Sequence, residues 1–273
     1  MITSLTNGRI KALIELRQKS RVRNEKKLFA AEGFRIFEDA PTNLIKEIYV
    51  EEGTYNEMIS DKAPSSHFKR AYEKIEECTS QGAVFEVLSA SVFTKAADTK
   101  TPQGIIFVSA IPNTGIEDIL SFVPEGSKGN ILLLEDLQDP GNLGTMIRTA
   151  EAAGISGVIL SKTSVDLYNP KTVRATMGAI FRVKVYYSED LIKDVEALKK
   201  RNVTIYATDL MADNSYDEEG YEGRSGILIG NEGNGLSQSM KEVADKRVII
   251  PMLGKTESLN ASVAAALMMY AAR

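Results

Sequence analysis

The 273-residue sequence contains few of the residues that build metal centres or disulfide frameworks. It has one cysteine, Cys78, one histidine, His67, and no tryptophan. A lone cysteine cannot form a disulfide within the chain and is typical of a reducing compartment, so we expect a cytoplasmic protein. One histidine and one cysteine provide no cluster with zinc-like spacing, so we expect no metal site and disfavour histidine-based catalysis.

Long hydrophobic runs are also missing. The apolar run at residues 261–271 is too short to span a bilayer. Residues 1–7 lack a basic segment followed by a continuous apolar core, so we expect no signal peptide. A membrane partner is therefore not expected.

Size and composition are those of an ordinary globular protein with two domains. Hydrophobic residues make up 43% and charged residues 26% of the chain, which disfavours disordered and fibrous classes. The length fits two domains at roughly 150 residues each. Turn-forming residues concentrate in residues 110–129, which we predict to be a linker between a domain of residues 1–109 and a domain of residues 130–273.

Both predicted domains belong to the α/β class. In the first, the patterns predict two helices, residues 10–16 and 29–40, and three strands, residues 45–50, 84–88 and 105–108. In the second, short apolar strands with little alternation are interspersed with helical patterns, which predicts a mostly parallel sheet flanked by helices. Ligands in such sheets bind beyond the carboxyl ends of the strands.

The first strand of the second domain, Ile131–Leu134, is not followed by the glycine-rich loop of nucleotide-binding folds. Residues 135–142 read EDLQDPGN, and the P-loop pattern G-x-x-x-x-G-K-[ST] does not occur in the sequence. A dinucleotide or triphosphate site of the usual kind is disfavoured. A Rossmann-type oxidoreductase that binds a nicotinamide cofactor is one alternative to be tested.

Three polar turns carry the candidate chemistry, each at the end of an apolar strand and each opening a helix. The first, residues 139–144 (DPGNLG), is followed by Arg148 in a helix of otherwise apolar or small residues. The second, residues 230–237 (GNEGNGLS), holds Glu232 between glycines that permit positive backbone angles and close approach of a ligand. The third covers residues 250–260 (IPMLGKTESLN).

Some of these residues also have a structural interpretation. Asn142 and Ser258 are placed as helix N-caps would be. Arg148 could bind a phosphate bidentately if its guanidinium is directed toward a cleft.

The order of the three turns and the spacing within each resemble the SpoU branch of the SPOUT superfamily of RNA methyltransferases, over residues 131–273. The resemblance implies an α/β fold with a deep trefoil knot, a homodimer, and S-adenosylmethionine as the cofactor. It implies that the catalytic residues are Asn142, Arg148, Glu232, Ser258 and Asn260. It implies that backbone groups around Gly230, Gly235, Ile250 and Leu259 hold the cofactor.

RNA-binding residues are expected mainly in the first domain, although the net charge of −4 gives no global reason to expect a nucleic-acid partner. Residues 9–27 include eight basic residues and only two acidic ones, a composition that fits either a solvated helix face or a phosphate-binding patch. Residues 23–33 and 101–105 resemble the two ends of a substrate-binding domain similar to a ribosomal-protein RNA-binding fold. The predicted RNA contacts are Arg21, Arg23, Lys27 and, in a further family-like segment, Arg174.

The predicted function is transfer of a methyl group from S-adenosylmethionine to a ribose 2′-hydroxyl of a structured RNA, with ribosomal RNA as the expected substrate. Arg148 is expected to stabilise the developing alkoxide or to hold the adjacent phosphate, and Glu232 or a water to relay the proton. The alternatives are a transfer-RNA 2′-O-methyltransferase and a non-catalytic RNA-binding protein that retains the fold.

Overall fold

The computed structural model describes residues 1–60 and 66–273. The chain forms two compact units, one of residues 1–113 and 168–181 and the other of residues 114–167 and 182–273. The segment 168–181 thus falls inside the predicted domain 130–273 in sequence but packs with the first unit.

In chain order the helices are α1 Gly8–Gln18, α2 Ser20–Lys26, α3 Phe34–Asp39, α4 Glu52–Met58, α5 Ser66–Ser80, α6 Ala90–Ala96, α7 Ile116–Ser121, α8 Pro140–Ala152, α9 Pro170–Ala175, α10 Leu191–Lys199, α11 Gln238–Val243 and α12 Ala261–Ala271. The strands are β1 Leu28–Glu32, β2 Ile45–Glu51, β3 Val84–Leu88, β4 Ile105–Ala110, β5 Ile131–Leu134, β6 Gly157–Ser161, β7 Lys184–Ser188, β8 Val203–Thr208, β9 Asn214–Ser215, β10 Arg224–Ile229 and β11 Lys246–Ile249. Within the described part of the chain, no helix is both long and apolar enough to cross a bilayer.

The first unit contains a four-stranded sheet in the order β1-β4-β2-β3, in which β4 runs antiparallel to both of its neighbours. The predicted helix over residues 29–40 is wrong in its first part, because residues 28–32 form β1 and α3 begins only at Phe34. Phe29, Ala30 and Ala31 are all buried, and β1 pairs along its length with β4. Burial and the hydrogen-bonded ladder override the local helix propensity of an alanine-containing stretch.

Aromatic side chains tie residues 168–181 to β1. The ring centroid of Phe29 lies 4.7 Å from that of Tyr168 and 6.0 Å from that of Phe181, and Val173 of α9 is buried. Deleting residues 1–109 would remove the packing partners of this segment. Tests of the first unit therefore need point variants rather than a truncation.

The second unit contains a seven-stranded sheet in the order β7-β6-β5-β10-β8-β11-β9, and its strand pairings are all parallel. The predicted mostly parallel α/β sheet is confirmed. All four residues of β5 are fully buried, as in sheets covered on both faces. Because β5, β10, β8 and β11 are successive neighbours, the turns that follow them meet at one edge of the sheet.

Residues 110–129, predicted as a linker, contain helix α7. Its Ile119 is fully buried in a cluster with Leu133 and Ile159 of the sheet. The guanidinium of Arg224 on β10 donates hydrogen bonds to the carbonyl oxygens of Leu120 (2.7 Å) and Ile119 (3.0 Å). Helix α7 is therefore part of the core of the second unit.

Arg23, predicted to contact RNA, has a structural role instead. Its side chain is buried, and its guanidinium donates hydrogen bonds to the carbonyl oxygens of Leu16 (2.6 Å) and Arg17 (3.0 Å) near the end of α1. The last carbonyls of a helix lack partners within it and carry a partial negative charge, so a cationic donor stabilises them. The prediction for Arg23 is corrected, because a buried guanidinium engaged in this way cannot reach a phosphate.

We expect Arg23→Ala to lower the free energy of unfolding by about 2–4 kcal/mol, because buried carbonyl oxygens lose their charged donor. Arg21→Ala on the same helix is the control: Arg21 is exposed, and its ion pair with Glu25 is worth about 0.5 kcal/mol or less. Urea unfolding followed by circular dichroism measures both variants. A loss below about 1 kcal/mol for Arg23→Ala would contradict the capping role.

Candidate active site

The first polar turn leads from β5 into α8 through Asp139. The Asp139 side chain accepts a hydrogen bond from the N–H of Asn142 at 2.8 Å, and Pro140 lies in the first turn of the helix. The interpretation of Asn142 as the N-cap is therefore wrong. Because Asp139 caps the helix, the side-chain amide of Asn142 is left to bind residues from the other turns.

Glu232, in the second polar turn, binds the first turn through both carboxylate oxygens. It accepts hydrogen bonds from the N–H groups of Gln138 (3.0 Å) and Asp139 (2.9 Å) and from the side-chain amide of Asn142 (3.1 Å). These three bonds join the turns that follow the neighbouring strands β5 and β10.

Asn142 extends the connection to the third turn. Its Oδ1 accepts a hydrogen bond from Nδ2 of Asn260 at 3.0 Å, and Oδ1 of Asn260 accepts from the N–H (2.8 Å) and the hydroxyl (2.6 Å) of Ser262. A carboxylate only accepts and a main-chain N–H only donates, so the two ends of this path fix the orientation of both amides.

Helix α12 begins at an N-cap formed by Asn260. The interpretation of Ser258 as the cap of this helix is therefore wrong. Ser258 is exposed, and its carbonyl oxygen accepts a hydrogen bond from the Thr256 hydroxyl at 3.0 Å.

Gly230 is needed because the second turn closes tightly upon it. A Cβ atom on Gly230 would lie 2.1 Å from the carbonyl carbon of Gly235 and 2.2 Å from the nitrogen of Leu236. Asn231 and Gly235 exchange two main-chain hydrogen bonds, of 3.1 and 2.9 Å. Of the glycines at 230, 233 and 235, Gly235 uses the permitted positive φ, at 67°, and the other two do not. A side chain at Gly230 would force the turn itself open.

A cavity of about 380 Å³ lies beside this turn, at the carboxyl ends of β8, β10 and β11. Its lining includes the predicted cofactor-binding residues Gly230, Gly235, Ile250 and Leu259, and also Glu232 and Ser258. Asn142, Arg148 and Asn260 are not part of that lining.

One wall of the cavity, the turn after β8, is not among the residues predicted from the sequence. Thr208, Asp209, Leu210 and Met211 form this wall, together with Lys241 of α11. The signal that would have found it is the one that found the other turns, since polar Thr208 ends the mostly apolar strand β8 and Asp209 directly follows it.

Arg148 lies on the exposed face of α8 and has no hydrogen-bond or ion-pair partner among the described residues. Six residues separate it from Asn142, which is about 9 Å along a helix axis. Arg148, like Ser258, is thus a predicted site residue that stands apart from the hydrogen-bonded path. Its guanidinium is open to an external anion.

Family models match both parts of the chain. Residues 129–270 match the SpoU rRNA methylase family, and residues 7–106 match an MRM3-like substrate-binding domain. The chain belongs to the SpoU rRNA methylase family. The predicted family is confirmed. Membership of this family makes the chain an RNA methyltransferase, and it excludes the alternative of a Rossmann-type oxidoreductase.

Relatives and solved structures agree with the SpoU assignment. The chain is 31% identical over 271 residues to the 23S rRNA (guanosine(2553)-2′-O)-methyltransferase RlmP of Bacillus subtilis, covering 98% of this chain and 97% of that protein. It is 28% identical to the AdoMet-bound rRNA methyltransferase of Sinorhizobium meliloti, with a TM-score of 0.84 over 100% of this chain and 96% of that one. The SpoU methyltransferase AviRb of Streptomyces viridochromogenes, in complex with AdoMet, shares the fold at 22% identity and a TM-score of 0.80, with 97% of each chain covered.

In this SpoU family member, the surroundings of Glu232 oppose its expected role as a proton relay. Burial alone would raise the pKa of Glu232, but hydrogen bonds from the Asp139 N–H, the Asn142 side chain and the Gln138 N–H bring its pKa below the ordinary value. A carboxylate with a lowered pKa is a weaker base, and these donors already occupy its oxygens. The contacts support a positioning role for Glu232.

The lowered pKa makes the contribution of Glu232 to stability depend on pH. The free energy of unfolding of the parent protein should exceed that of Glu232→Gln above the ordinary pKa of 4.5, and this advantage should disappear as pH falls through the lower folded-state pKa. Below both pKa values the carboxyl is protonated whether the chain is folded or not. Denaturant unfolding of both proteins from pH 7 downward measures the difference, and an advantage that grows on acidification would contradict the assignment.

Proposed function

We propose that this protein transfers a methyl group from S-adenosylmethionine to a ribose 2′-hydroxyl of ribosomal RNA. The observation that carries the proposal is the oriented hydrogen-bonded path from Glu232 through Asn142 to Asn260, beside a cavity at the carboxyl edge of the sheet. The substrates named for the Bacillus subtilis and Sinorhizobium meliloti relatives support ribosomal RNA, and the AdoMet bound to the latter supports the cofactor.

The cavity suits S-adenosylmethionine in size and in the character of its walls. Its volume of about 380 Å³ falls within the roughly 300–1,000 Å³ of small-molecule sites. Leu236, Ile250 and Leu259 offer apolar surface to a purine ring, and the glycine-containing turn brings main-chain groups to the ligand.

The charges around the cavity also suit a sulfonium cation. Two carboxylates, Asp209 and Glu232, face one ammonium, Lys241, which is a net charge of −1. Burial alone would raise the pKa of Asp209, but hydrogen bonds from Lys241 and from the Met211 N–H, with the nearby Arg247, lower it, so Asp209 is ionised at neutral pH. Because Lys241 and Arg247 both pair with Asp209, Glu232 is the lining carboxylate that has no ion-pair partner among the described residues and can attract a positively charged ligand.

When bound, S-adenosylmethionine supplies a methyl group that is already electrophilic, so the protein has to align the ribose hydroxyl and assist loss of its proton. An amide nitrogen has two N–H donors, and the path described above uses one from Asn142 and one from Asn260. The second N–H of each, held in a fixed orientation, is available to a ribose oxygen.

We assign Arg148 to the phosphate beside the target ribose or to the developing alkoxide. A guanidinium carries N–H donors and no acceptor, so Arg148 serves as a charged donor and not as the base. Because Glu232 is a weakened base, water is the proton acceptor in this proposal. The exposed Ser258, at the edge of the cavity, is assigned to the ribose.

A non-catalytic RNA-binding protein is disfavoured, because the polar residues of all three turns are present and three of them are joined in one path. Transfer RNA is the second substrate class to be tested. We propose a cytoplasmic location, where ribosomal RNA and S-adenosylmethionine are both available.

The first unit is proposed to hold the RNA through exposed cations, consistent with its match to a substrate-binding domain. Lys26 and Lys27 are exposed and have no ion pair with a described residue. Arg21 is exposed, and its pair with Glu25 is weak enough to be exchanged for a phosphate. Arg174 would have to release Asp98, its ion-pair partner, to bind RNA.

We further propose the homodimer and the deep trefoil knot that are implied by the SpoU resemblance. Apolar side chains exposed at the end of the chain support the dimer: Val263 and Tyr270 of α12 are each 47% exposed and lie seven residues apart, and Leu253 is 100% exposed. Exposed apolar surface of this kind favours a protein partner. Sedimentation equilibrium distinguishes a monomer from a dimer.

A strain without this protein should lack one ribose 2′-O-methyl group in its ribosomal RNA, detected as new alkaline cleavage at that nucleotide. The parent protein should restore the methyl group. Arg148→Ala and Arg148→Lys should not, because neither reproduces a planar guanidinium fork. Calorimetry should show that both variants bind S-adenosylmethionine within about twofold of the parent, since the missing interaction is with RNA and the transition state. Loss of a methyl group from transfer RNA alone, or from neither RNA, would contradict the proposed substrate.

The double variant Lys26→Gln/Lys27→Asn should bind ribosomal RNA more weakly, with a salt slope lower by about 0.7–0.9 for each phosphate that is no longer neutralised. Asparagine is chosen at position 27 because Lys27 has a φ of 53°, which asparagine tolerates. The control, Lys193→Gln/Arg201→Gln, removes the same charge from the second unit. Filter binding at several salt concentrations measures both, and equal slopes for the two double variants would show that the basic segment is only a solvated face.

A further inference from the structure

We propose that Glu135 is a positioning residue that keeps residues 230–237, the cofactor loop, in the closed shape that forms one side of the cavity. The inference rests on the proposed function, because its test is the affinity for S-adenosylmethionine. Glu135 lies in the turn after β5 and is not part of the cavity lining. It therefore acts through the loop and not by touching the cofactor.

The carboxylate of Glu135 binds the end of the cofactor loop with both oxygens. One oxygen accepts a hydrogen bond from the N–H of Ser237 and the other from its hydroxyl, each at 2.7 Å. Hydrogen bonds to an ionised acceptor are shorter and stronger than those between neutral groups. The Ser237 hydroxyl also accepts from the N–H of Met240 at 3.2 Å, so the same residue begins α11.

Glu135 also binds the residue just before the loop. Its own N–H donates to the carbonyl oxygen of Ile229 at 3.0 Å, which adds one more bond to the pairing of β5 with β10. Ile229 immediately precedes Gly230, and Ser237 ends the loop. One residue of the neighbouring turn therefore holds the chain on both sides of the loop.

The closed shape is sensitive to the position of Ser237. Gly230 has no room for a Cβ atom because Gly235 and Leu236 pack directly against it, and Leu236 is buried. Releasing Ser237 frees the chain next to Leu236, at the point where Gly230, Gly235 and Leu236 all line the cavity. Removing the Glu135 carboxylate should thus change the shape of the cofactor site while the RNA-binding residues of the first unit stay in place.

The test is calorimetric titration of S-adenosylmethionine into the full-length parent protein and three variants. Glu135→Ala should bind about tenfold more weakly or worse, because a charge-assisted pair of bonds is removed. Glu135→Gln should stay within about threefold, because its Oε1 can accept from the Ser237 N–H and its Nε2 can donate to the hydroxyl. The control, Glu117→Ala, removes an exposed carboxylate that pairs with Arg201 on the second unit and should bind as the parent does. RNA affinity without cofactor should be equal in all four proteins.

The outcomes distinguish a failure of the proposed function from a failure of the role assigned to Glu135. A parent protein that does not bind S-adenosylmethionine would contradict the proposed function itself. If the parent binds S-adenosylmethionine and a folded Glu135→Ala variant binds it with equal affinity, the role of Glu135 is overturned while the proposed function stands. The role of Glu135 is also overturned if Glu135→Ala weakens RNA binding by the same factor as cofactor binding. If Glu135→Ala does not fold, Ser237→Ala decides: it removes one of the two bonds and should weaken cofactor binding, whereas binding equal to that of the parent would overturn the proposal.

Discussion

The candidate site depends on the hydrogen bonds that the turns after β5 and β10 make to each other. Glu232 reaches from the second turn to two N–H groups and one side chain of the first, and Glu135 reaches from the first to the end of the second. Both connections are possible because β5 and β10, distant in sequence, are parallel neighbours whose carboxyl ends coincide. A site assembled from such turns is organised before any ligand arrives, which is the condition for strong electrostatic stabilisation of a transition state.

The site residues differ in how many of their hydrogen-bonding groups have partners within the protein. Glu232, Asn142 and Asn260 are bound to one another and to main-chain groups, so their positions and orientations are set by the fold. Arg148 is exposed and has no hydrogen-bond or ion-pair partner among the described residues, which leaves its guanidinium open to an anionic substrate. This division suits a reaction on a polyanion: rigid neutral and acidic groups shape the site, and a free cation receives the substrate.

Local sequence patterns identified the polar turns but not the task of each residue within them. Asn142 and Ser258 have the chemistry and position of helix caps, yet Asp139 and Asn260 perform that role, three residues earlier and two residues later. Several polar residues near one helix start are equivalent in sequence, and only the packing of the turns decides which side chain is drawn elsewhere. Arg23 shows the same limit, because the sequence does not distinguish this buried arginine from the exposed basic residues around it.

The parallel sheet of the second unit and the polar residues at its strand ends could be determined from the sequence, because apolar patterns and turn chemistry are local properties. The order and spacing of the three turns carried the resemblance to the family. Strand β1, expected to be helical, and the two-residue strand β9 were not found from the sequence. The tertiary structure alone decided which strands became neighbours, that residues 168–181 pack with the first unit, and that the turn after β8 forms a wall of the cavity. It also decided that the β10 loop closes on Gly230 and is held by Glu135. These features arise from contacts between residues far apart in the chain, whose free energies depend on burial and on hydrogen-bond geometry that no short stretch of sequence encodes.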